Sequence, residues 1–217
     1  MTPREQAAVE SWRRRHESTP EIPAYFEGSP VHKGWRIYTD EEFLSSWMAA
    51  IVLTKSDTVL DIGCGYGEWI IPMSKYVKHV TGIDIHKNLI LKVEEKLRER
   101  AIRNVYAHTC DGVSIPYADS SFTVVLSNGV FYHTPRCIVA RYLPETWRVL
   151  KQGGLAFHHF LKDTAPGVPT EIGLDVDGKW EVGWSKEDLV VAAEKAGWEN
   201  ISVVDLGDSQ LLTGVKK

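Results

Sequence analysis

The chain has 217 residues, 43% of them hydrophobic, and its 25 basic and 29 acidic residues leave a net charge of −4. One domain with a sizeable core is the default expectation at this length, and the charge balance excludes the basic footprint of a nucleic-acid-binding protein. No apolar run approaches membrane-spanning length, the start lacks a signal-peptide core, and the three cysteines have no paired spacing. We therefore expect a cytoplasmic protein, monomeric or homodimeric, that binds neither nucleic acid nor membrane.

The first quarter of the chain predicts a helical lid. Residues 2–5 form a capping box with proline at the first helical position, so a helix should run to about residue 17. Residues 18–38 interleave prolines and glycines with aromatic side chains, which a disordered tail would not need. We expect this segment to lie over a binding site, and a second helix to follow over residues 39–53. Two aromatic residues of the lid expected to line the site are Trp35 and Tyr38.

Strands and helices alternate from residue 54 onward. Apolar, β-branched runs predict strands at about residues 58–62, 79–83, 104–108, 122–126 and 155–161, with a helix over 68–76 after the first. Two closing strands flank Gly207-Asp208, so the last strand should be antiparallel. The pattern predicts an α/β fold: a doubly wound, mostly parallel seven-stranded sheet. Residues 162–184 form an insert with a predicted hairpin turn at Asp177-Gly178.

The first predicted strand runs into a glycine-rich turn, Asp61-Ile62-Gly63-Cys64-Gly65-Tyr66-Gly67-Glu68. Glycine permits positive φ and close approach of a ligand to the backbone, and sheets of this kind bind nucleotides at the carboxyl ends of their strands. The dinucleotide fingerprint G-x-G-x-x-G would need glycine at position 68. Because the turn is flanked by two carboxylates, it suits a ligand with an ammonium and a sulfonium better than a pyrophosphate. A purely structural turn is the alternative.

Asp84 closes the second predicted strand, about twenty residues beyond the glycine turn. A carboxylate at that place in a nucleotide-binding sheet accepts hydrogen bonds from ribose hydroxyls. An ordinary aspartate at a strand end is the alternative.

These motifs resemble those of the class I S-adenosylmethionine-dependent methyltransferases, most closely the small-molecule branch sometimes called type 11. Residues 61–67 match the family pattern D-x-G-x-G-x-G, Asp84 matches its acidic second motif, and residues 115–122 match L-P-x-x-D-x-S-F, although Thr123 follows where the family usually has aspartate. The resemblance covers about residue 57 to the end of the chain. It implies S-adenosyl-L-methionine as cofactor and a small-molecule methyl acceptor as substrate. It also implies these cofactor-binding residues: Asp61, Gly63, Gly65, Gly67, Asp84, Ile85, Asp111, Gly112, Ser127 and Asn128.

The segment after the fourth predicted strand should lie where the methyl group is transferred. Methyltransferases that modify nucleobases carry N-P-P-Y here, and residues 127–133 contain neither proline. A neutral His133 would accept a proton from a hydroxyl or amine; packing or local capping is the alternative. His158 and His159 alternate on a strand, so at most one easily reaches the site. The catalytic candidates are His133 and His159, and the candidates for acceptor binding are Tyr132 and Trp184, with Trp35 and Tyr38.

The leading interpretation is methyl transfer from S-adenosylmethionine to a hydroxyl or amine of a small metabolite, such as a sugar or a natural-product intermediate. A non-catalytic partner protein that binds the cofactor is a second interpretation. A NAD-dependent oxidoreductase is a third, and Glu68 argues against it. No cluster of side chains has metal-ligand spacing. We expect one domain over residues 1–217, with a lid at 1–53 and a Rossmann-like core at 54–217.

Overall fold

The computed structural model describes residues 51–164 and 182–217, together with six positions between Thr2 and Glu10. The amide of Gln6 donates to the carbonyl of Thr2 at 3.0 Å, which confirms the predicted start of the first helix. Residues 51–53, the predicted end of the second helix, are not helical. The remaining lid predictions, including Trp35 and Tyr38, lie outside the described residues, as does the turn predicted at Asp177-Gly178. The single domain predicted over residues 1–217 stays a prediction.

The chain forms two compact units. We call Val9–Thr109 the first unit, and Cys110–Lys217 together with Met1–Ala8 the second unit.

The first unit contains three parallel strands in the order β3-β2-β1. They are β1 (Thr58–Ile62), β2 (His79–Asp84) and β3 (Val105–Thr109). Ile62 pairs with Ile83, and Asp84 pairs with Thr109, so the three carboxyl ends lie nearly level. Strand β1 is buried beyond its first residue because its apolar side chains occupy both faces.

The helix predicted over residues 68–76 is much shorter than expected. Helix α1 spans only Ile70–Met73 and contains Pro72, which has no amide hydrogen for a helical bond. The backbone then tightens, because Ser74, Lys75 and Tyr76 each donate to the carbonyl three residues earlier. Helix α2 (Lys87–Glu99) is regular and buries Ile90, Val93 and Leu97 on the side that contacts β2 and β3.

The second unit carries the remaining elements. In chain order these are β4 (Phe122–Ser127), a 3-10 turn (Phe131–His133), α3 (Arg136–Val149), β5 (Leu150–Lys162), β6 (Gly183–Trp184), α4 (Lys186–Lys195), β7 (Ser202–Asp205) and β8 (Ser209–Val215). The strand order is β4-β5-β8-β7, and the short β6 pairs with β5. Strands β4 and β5 are parallel, whereas β8 is antiparallel to both β5 and β7, as predicted. Strand β6 was not predicted, because two residues are too few for a periodic signal.

Arg148 fixes the loop that precedes β4. Its guanidinium donates to the carbonyls of Ile115 and Tyr117 and to the carboxylates of Asp119 and Glu145, at 2.7–2.9 Å. The L-P-x-x-D-x-S-F match therefore has a structural basis, since this loop sets the start of β4. Thr123, which departs from the pattern, lies within β4.

The α/β architecture of the prediction is confirmed, and the described residues contain eight strands because of β6. Within the described part of the chain, no helix is both long and apolar enough to span a bilayer.

Candidate functional site

The glycine turn folds back over the end of β2. The amides of Gly63 and Cys64 both donate to the carbonyl of Ile83, at 2.7 and 3.0 Å. Gly63, Gly65 and Gly67 have φ of +77°, +52° and +82°, a region in which a side chain would be strained. The sequence therefore places glycine where the backbone requires it, and the turn presents its main chain without side chains in the way.

Asp84 holds this turn in place with both carboxylate oxygens. Its Oδ2 accepts a hydrogen bond from the amide of Gly65 at 3.0 Å. Its Oδ1 accepts one from the amide of His86 at 2.9 Å, and Nδ1 of His86 lies 2.9 Å from the same oxygen. Both side chains are buried. The sequence analysis missed His86, although a histidine two residues after the strand-end aspartate was a visible signal.

Asp61 has an unusual environment for an acidic side chain. Its side chain is 1% exposed, and its Oδ1 has no hydrogen-bond partner. Burial, and then the nearby charges of Asp84 and Glu68, raise the pKa of Asp61 well above its ordinary value. Burial also raises the pKa of Glu68 to about 7, against the opposing influence of Lys96. The turn thus concentrates three carboxylates in a poorly solvated region.

This arrangement fits a cationic ligand. A buried carboxylate oxygen without a donor costs free energy unless something pairs with it. An ammonium or sulfonium group beside the turn would supply the missing positive charge, whereas a pyrophosphate would add to the repulsion. The donor set of the turn therefore suits S-adenosylmethionine, which carries both cations.

Ile85, half-buried between Asp84 and His86, completes the predicted cofactor residues of the first unit.

The other four predicted cofactor residues belong to the second unit. The carboxylate of Asp111 accepts bonds from the amides of Val113 and Ser114 and from the hydroxyl of Ser114, at 2.7–2.9 Å. Burial raises the pKa of Asp111, but these bonds outweigh it and hold the pKa below its ordinary value. Gly112 has φ of +84° within the same turn. Ser127 is fully buried at the end of β4, and Asn128 follows it.

Tyr132 joins the two histidines that the sequence analysis proposed as catalytic. Its ring centroid lies 4.3 Å from that of His133 and 5.5 Å from that of His159. Ser127 pairs with His158 in the β4–β5 ladder, so His159 lies one residue further toward the carboxyl end of β5. The second unit therefore brings Tyr132, His133 and His159 together.

The two adjacent histidines of β5 have different environments, as strand alternation predicted. His158 is fully buried, lies 3.1 Å from the Thr146 hydroxyl through Nε2, and packs against Phe131 and Trp198. Burial lowers its pKa to about 3 and the pKa of His159 to about 4. Both imidazoles are therefore neutral at physiological pH, and His158 is a packing residue.

Trp184 lies in β6, where the chain returns from the insert. Its side chain is 4% exposed, and the guanidinium of Arg136 covers its ring at 4.5 Å. Arg136 also donates to the carbonyl of Gly183 and to Asp188, at 2.7 and 2.8 Å. Beside it, the amide of Val182 donates to the carbonyl of Tyr132 at 2.6 Å. The end of the insert is thus bonded to Tyr132, which together with His133 and His159 we call the histidine cluster. Arg136, which holds Trp184 and Gly183 in place, was not predicted from the sequence.

Residues 59–154 match the family model of a methyltransferase domain. Over these residues the chain is similar to methyltransferases, in keeping with the resemblance of its motifs to the class I S-adenosylmethionine-dependent family. A demethylmenaquinone methyltransferase of Alkalihalophilus pseudofirmus is 31% identical over 141 residues, which cover 64% of this chain and 55% of that protein. An arsenite methyltransferase of Halobacterium salinarum is 29% identical over 167 residues, which cover 74% of this chain and 42% of that protein. The chain thus spans about half the length of the curated relatives it matches.

Solved structures share the methyltransferase fold. An S-adenosylmethionine-dependent methyltransferase from Methanosarcina mazei aligns with a TM-score of 0.64 and 20% identity, covering 79% of this chain and 97% of that one. A protein from Pyrococcus horikoshii aligns with a TM-score of 0.66 and 21% identity, covering 91% and 100%. At these identities the likeness establishes the fold alone. The individual roles of the predicted site residues therefore stay predictions.

Proposed function

We propose that the chain transfers a methyl group from S-adenosylmethionine to a hydroxyl or amine of a small metabolite. The observation that carries the proposal is Asp61, whose buried carboxylate oxygen lacks a donor in a turn that also holds Asp84 and Glu68. The ammonium or sulfonium of S-adenosylmethionine would satisfy that oxygen, whereas the pyrophosphate of NAD would add negative charge beside it. The bound cofactor supplies an electrophilic methyl group on a positively charged sulfur.

The first unit supplies most of the proposed cofactor contacts. Gly63, Gly65 and Gly67 allow a ligand to approach the main chain. Asp84 has up to four lone-pair positions on its carboxylate. The amides of Gly65 and His86 and the His86 ring use at most three of them, which leaves capacity for a ribose hydroxyl. Asp111, Gly112, Ser127 and Asn128 are the proposed contributors from the second unit.

The histidine cluster of the second unit is the proposed source of the base. A hydroxyl must lose its proton as it attacks, and an ammonium group must lose one before its nitrogen can attack. A positioned base contributes about 10²–10⁴-fold to such a proton transfer. With a pKa of about 4, His159 is a weak base, because an effective base titrates near the operating pH. We therefore assign the proton transfer to His133 and the orientation of Tyr132 and His133 to His159. Tyr132 and Trp184, with Trp35 and Tyr38, stay the proposed acceptor-binding residues.

The relatives support a small-molecule acceptor but differ in what they name. One is called a demethylmenaquinone methyltransferase and another an arsenite methyltransferase. Neither name includes a sugar or an amine, so the choice of a hydroxyl or amine acceptor rests on the position of His133 beside Tyr132. Acceptor identity is best sought by screening small metabolites with the purified chain.

Substitution of His133 tests the proposed chemistry. We expect His133→Ala to lower turnover by about 10²-fold or more while the affinity for S-adenosylhomocysteine changes less than twofold, since a base acts on the proton and not on the cofactor. His79→Ala, a histidine of β2 with no proposed role, is the control. An equal loss of turnover and cofactor affinity would make His133 a binding residue. Cofactor binding without turnover on any acceptor would favour the partner-protein interpretation.

A further inference from the structure

Lys96 reaches from α2 to the glycine turn. Its ammonium donates a hydrogen bond to the main-chain carbonyl of Tyr66 at 3.0 Å and lies 5.2 Å from the centroid of the Tyr66 ring. Tyr66 stands between Gly65 and Gly67, two residues with positive φ. The carbonyl that Lys96 holds is therefore at the centre of the turn that we assign to the cofactor.

A glycine-rich turn needs such an external restraint. Glycine has more backbone freedom than any other residue, so ordering this turn costs more conformational entropy than ordering an ordinary loop. Within the turn, the amide of Gly67 donates to the carbonyl of Cys64, and Asp84 holds the amide of Gly65. Lys96 adds a charge-assisted bond on Tyr66, and such bonds are about twice as strong as neutral ones.

The same ammonium acts on the charge of the turn. Burial raises the pKa of Glu68 to about 7, even though the charge of Lys96 lowers it. Burial lowers the pKa of Lys96 itself, Glu68 and Glu99 raise it, and Arg100 and Lys92 lower it further. On the turn, Glu68 also faces Asp61 and Tyr66, since its charge contributes to raising the pKa of both groups. Lys96 thus favours the ionised form of Glu68.

We propose that Lys96 is a positioning residue of the cofactor site, which fixes the Tyr66 carbonyl at the centre of the glycine turn. The proposal rests on the proposed function for its ligand but not for its effect on the turn. Lys96 does not touch the cofactor in this scheme. It acts by presenting an ordered and negatively charged turn to a cationic ligand.

Titration with S-adenosylhomocysteine from pH 6 to 8.5 tests the proposal. We expect Lys96→Met, which keeps the apolar stem, to weaken affinity about 5–20-fold at pH 7.5, as expected for a lost bond to a charged group. The affinity for this ligand, which presents an α-ammonium group, should rise with pH as Glu68 ionises, and the midpoint of that rise should move to higher pH in Lys96→Met. Lys96→Arg keeps the charge and the donor, so it should retain most of the affinity and the original midpoint.

Lys92→Met is the matched control. Lys92 lies on the same helix, 5.4 Å from the same Tyr66 ring, so its removal changes the net charge equally. We expect its affinity to stay within twofold of the unmodified chain. Equal losses in Lys92→Met and Lys96→Met, or no loss in Lys96→Met, would overturn the positioning role.

Hydrogen exchange separates this proposal from the proposed function. In the absence of ligand, the amides of Gly65 and Gly67 should exchange several-fold faster in Lys96→Met than in Lys92→Met, because the turn loses a restraint. Unchanged exchange would overturn the proposal even if the cofactor binds. Failure of the unmodified chain to bind S-adenosylhomocysteine would instead overturn the proposed function, while the exchange result would still decide the role of Lys96.

Discussion

At the scale of single residues, the carboxylate of Asp61 is expected to favour ligand binding but to lower the stability of the folded state. Its carboxylate is buried and lacks a donor at Oδ1, so its ionised form weakens the folded state. Folding raises the pKa of Asp61. Protonation of Asp61 therefore stabilises the folded state fully at pH values below the unfolded pKa, and this stabilisation is lost as the pH rises through the folded pKa. Above that folded pKa, Asp61 carries a destabilising charge that a cationic ligand would relieve.

Replacing Asp61 with asparagine should separate these two effects. We expect Asp61→Asn to lower the affinity for S-adenosylhomocysteine at least tenfold, about 1.5–3 kcal/mol, since a bond to a charged group is lost. The free energy of unfolding at pH 8 should stay the same or rise, because no charge is then buried. Calorimetry and urea denaturation measure the two quantities.

Glu94→Gln is a suitable control for the Asp61 variant. Glu94 is exposed on α2, so its substitution removes an equal charge without touching the turn. We expect both quantities to stay near those of the unmodified chain. A marked loss of stability in Asp61→Asn would show that the carboxylate is a structural group and would contradict its assignment to the ligand.

For Asp84, the sequence motif predicts the position of the residue but not its hydrogen bonds. Its place at the end of β2 was predicted from the sequence, because an acidic residue there has a recurrent use in nucleotide-binding sheets. Its bonds to Gly65 and His86 were not predicted, since they depend on how the turn folds back over β2. Asp84 therefore organises the apo site as well as serving as a proposed ligand of the ribose.

At the scale of elements, β1, the glycine turn and β2 pack as one unit. A Cβ added to Gly82 would lie 2.6 Å from Cβ and Sγ of Cys64 and 2.9 Å from Cδ1 of Ile70, closer than packed atoms approach. Gly82 thus has a steric role in the middle of β2, where glycine is otherwise unfavourable. The turn can lie against β2 only because that position has no side chain.

The packing of the turn on β2 predicts the effect of Gly82→Ala. We expect the free energy of unfolding to fall by about 1–3 kcal/mol, the usual cost of overpacking, as measured by urea denaturation. In a Cys64→Gly background, Gly82→Ala should lower the free energy of unfolding much less than it does in the unmodified chain. The reason is that the two closest atoms, Cβ and Sγ of Cys64, are then absent. A Gly82→Ala variant as stable as the unmodified chain would show that the turn does not rest on β2 in this way.

Sequence reasoning was most successful for elements with a strong period or a clear cap. Helix α4 begins after Ser185, whose hydroxyl accepts from the amide of Asp188 at 3.0 Å, and the chain turns at Gly197 with φ of +83°; serine before a helix and glycine after one are the usual boundary signals. It failed for α1, because the apolar pattern of residues 68–76 outweighed Pro72 in the prediction. It also missed β6, whose position depends on pairing with β5 across the insert.

At the scale of the whole molecule, the fold and the cofactor class follow from the chain more readily than the acceptor. The order of strands and helices and the D-x-G-x-G-x-G turn identify the class, because they are local in sequence. The acceptor end depends on contacts between distant segments, such as the Arg136 guanidinium on Trp184 and the Val182 amide on the Tyr132 carbonyl. No local pattern encodes those pairings, so the sequence named Trp184 and Tyr132 without their connection.

The central claim is that the glycine turn binds S-adenosylmethionine, and calorimetric titration of the purified chain tests it most directly. S-adenosylhomocysteine, the product form, is titrated into one sample and NAD into a parallel one. We predict micromolar binding of S-adenosylhomocysteine and no binding of NAD, because the three carboxylates of the turn favour a cation and repel a pyrophosphate. Binding of NAD, or of neither ligand, would contradict the account.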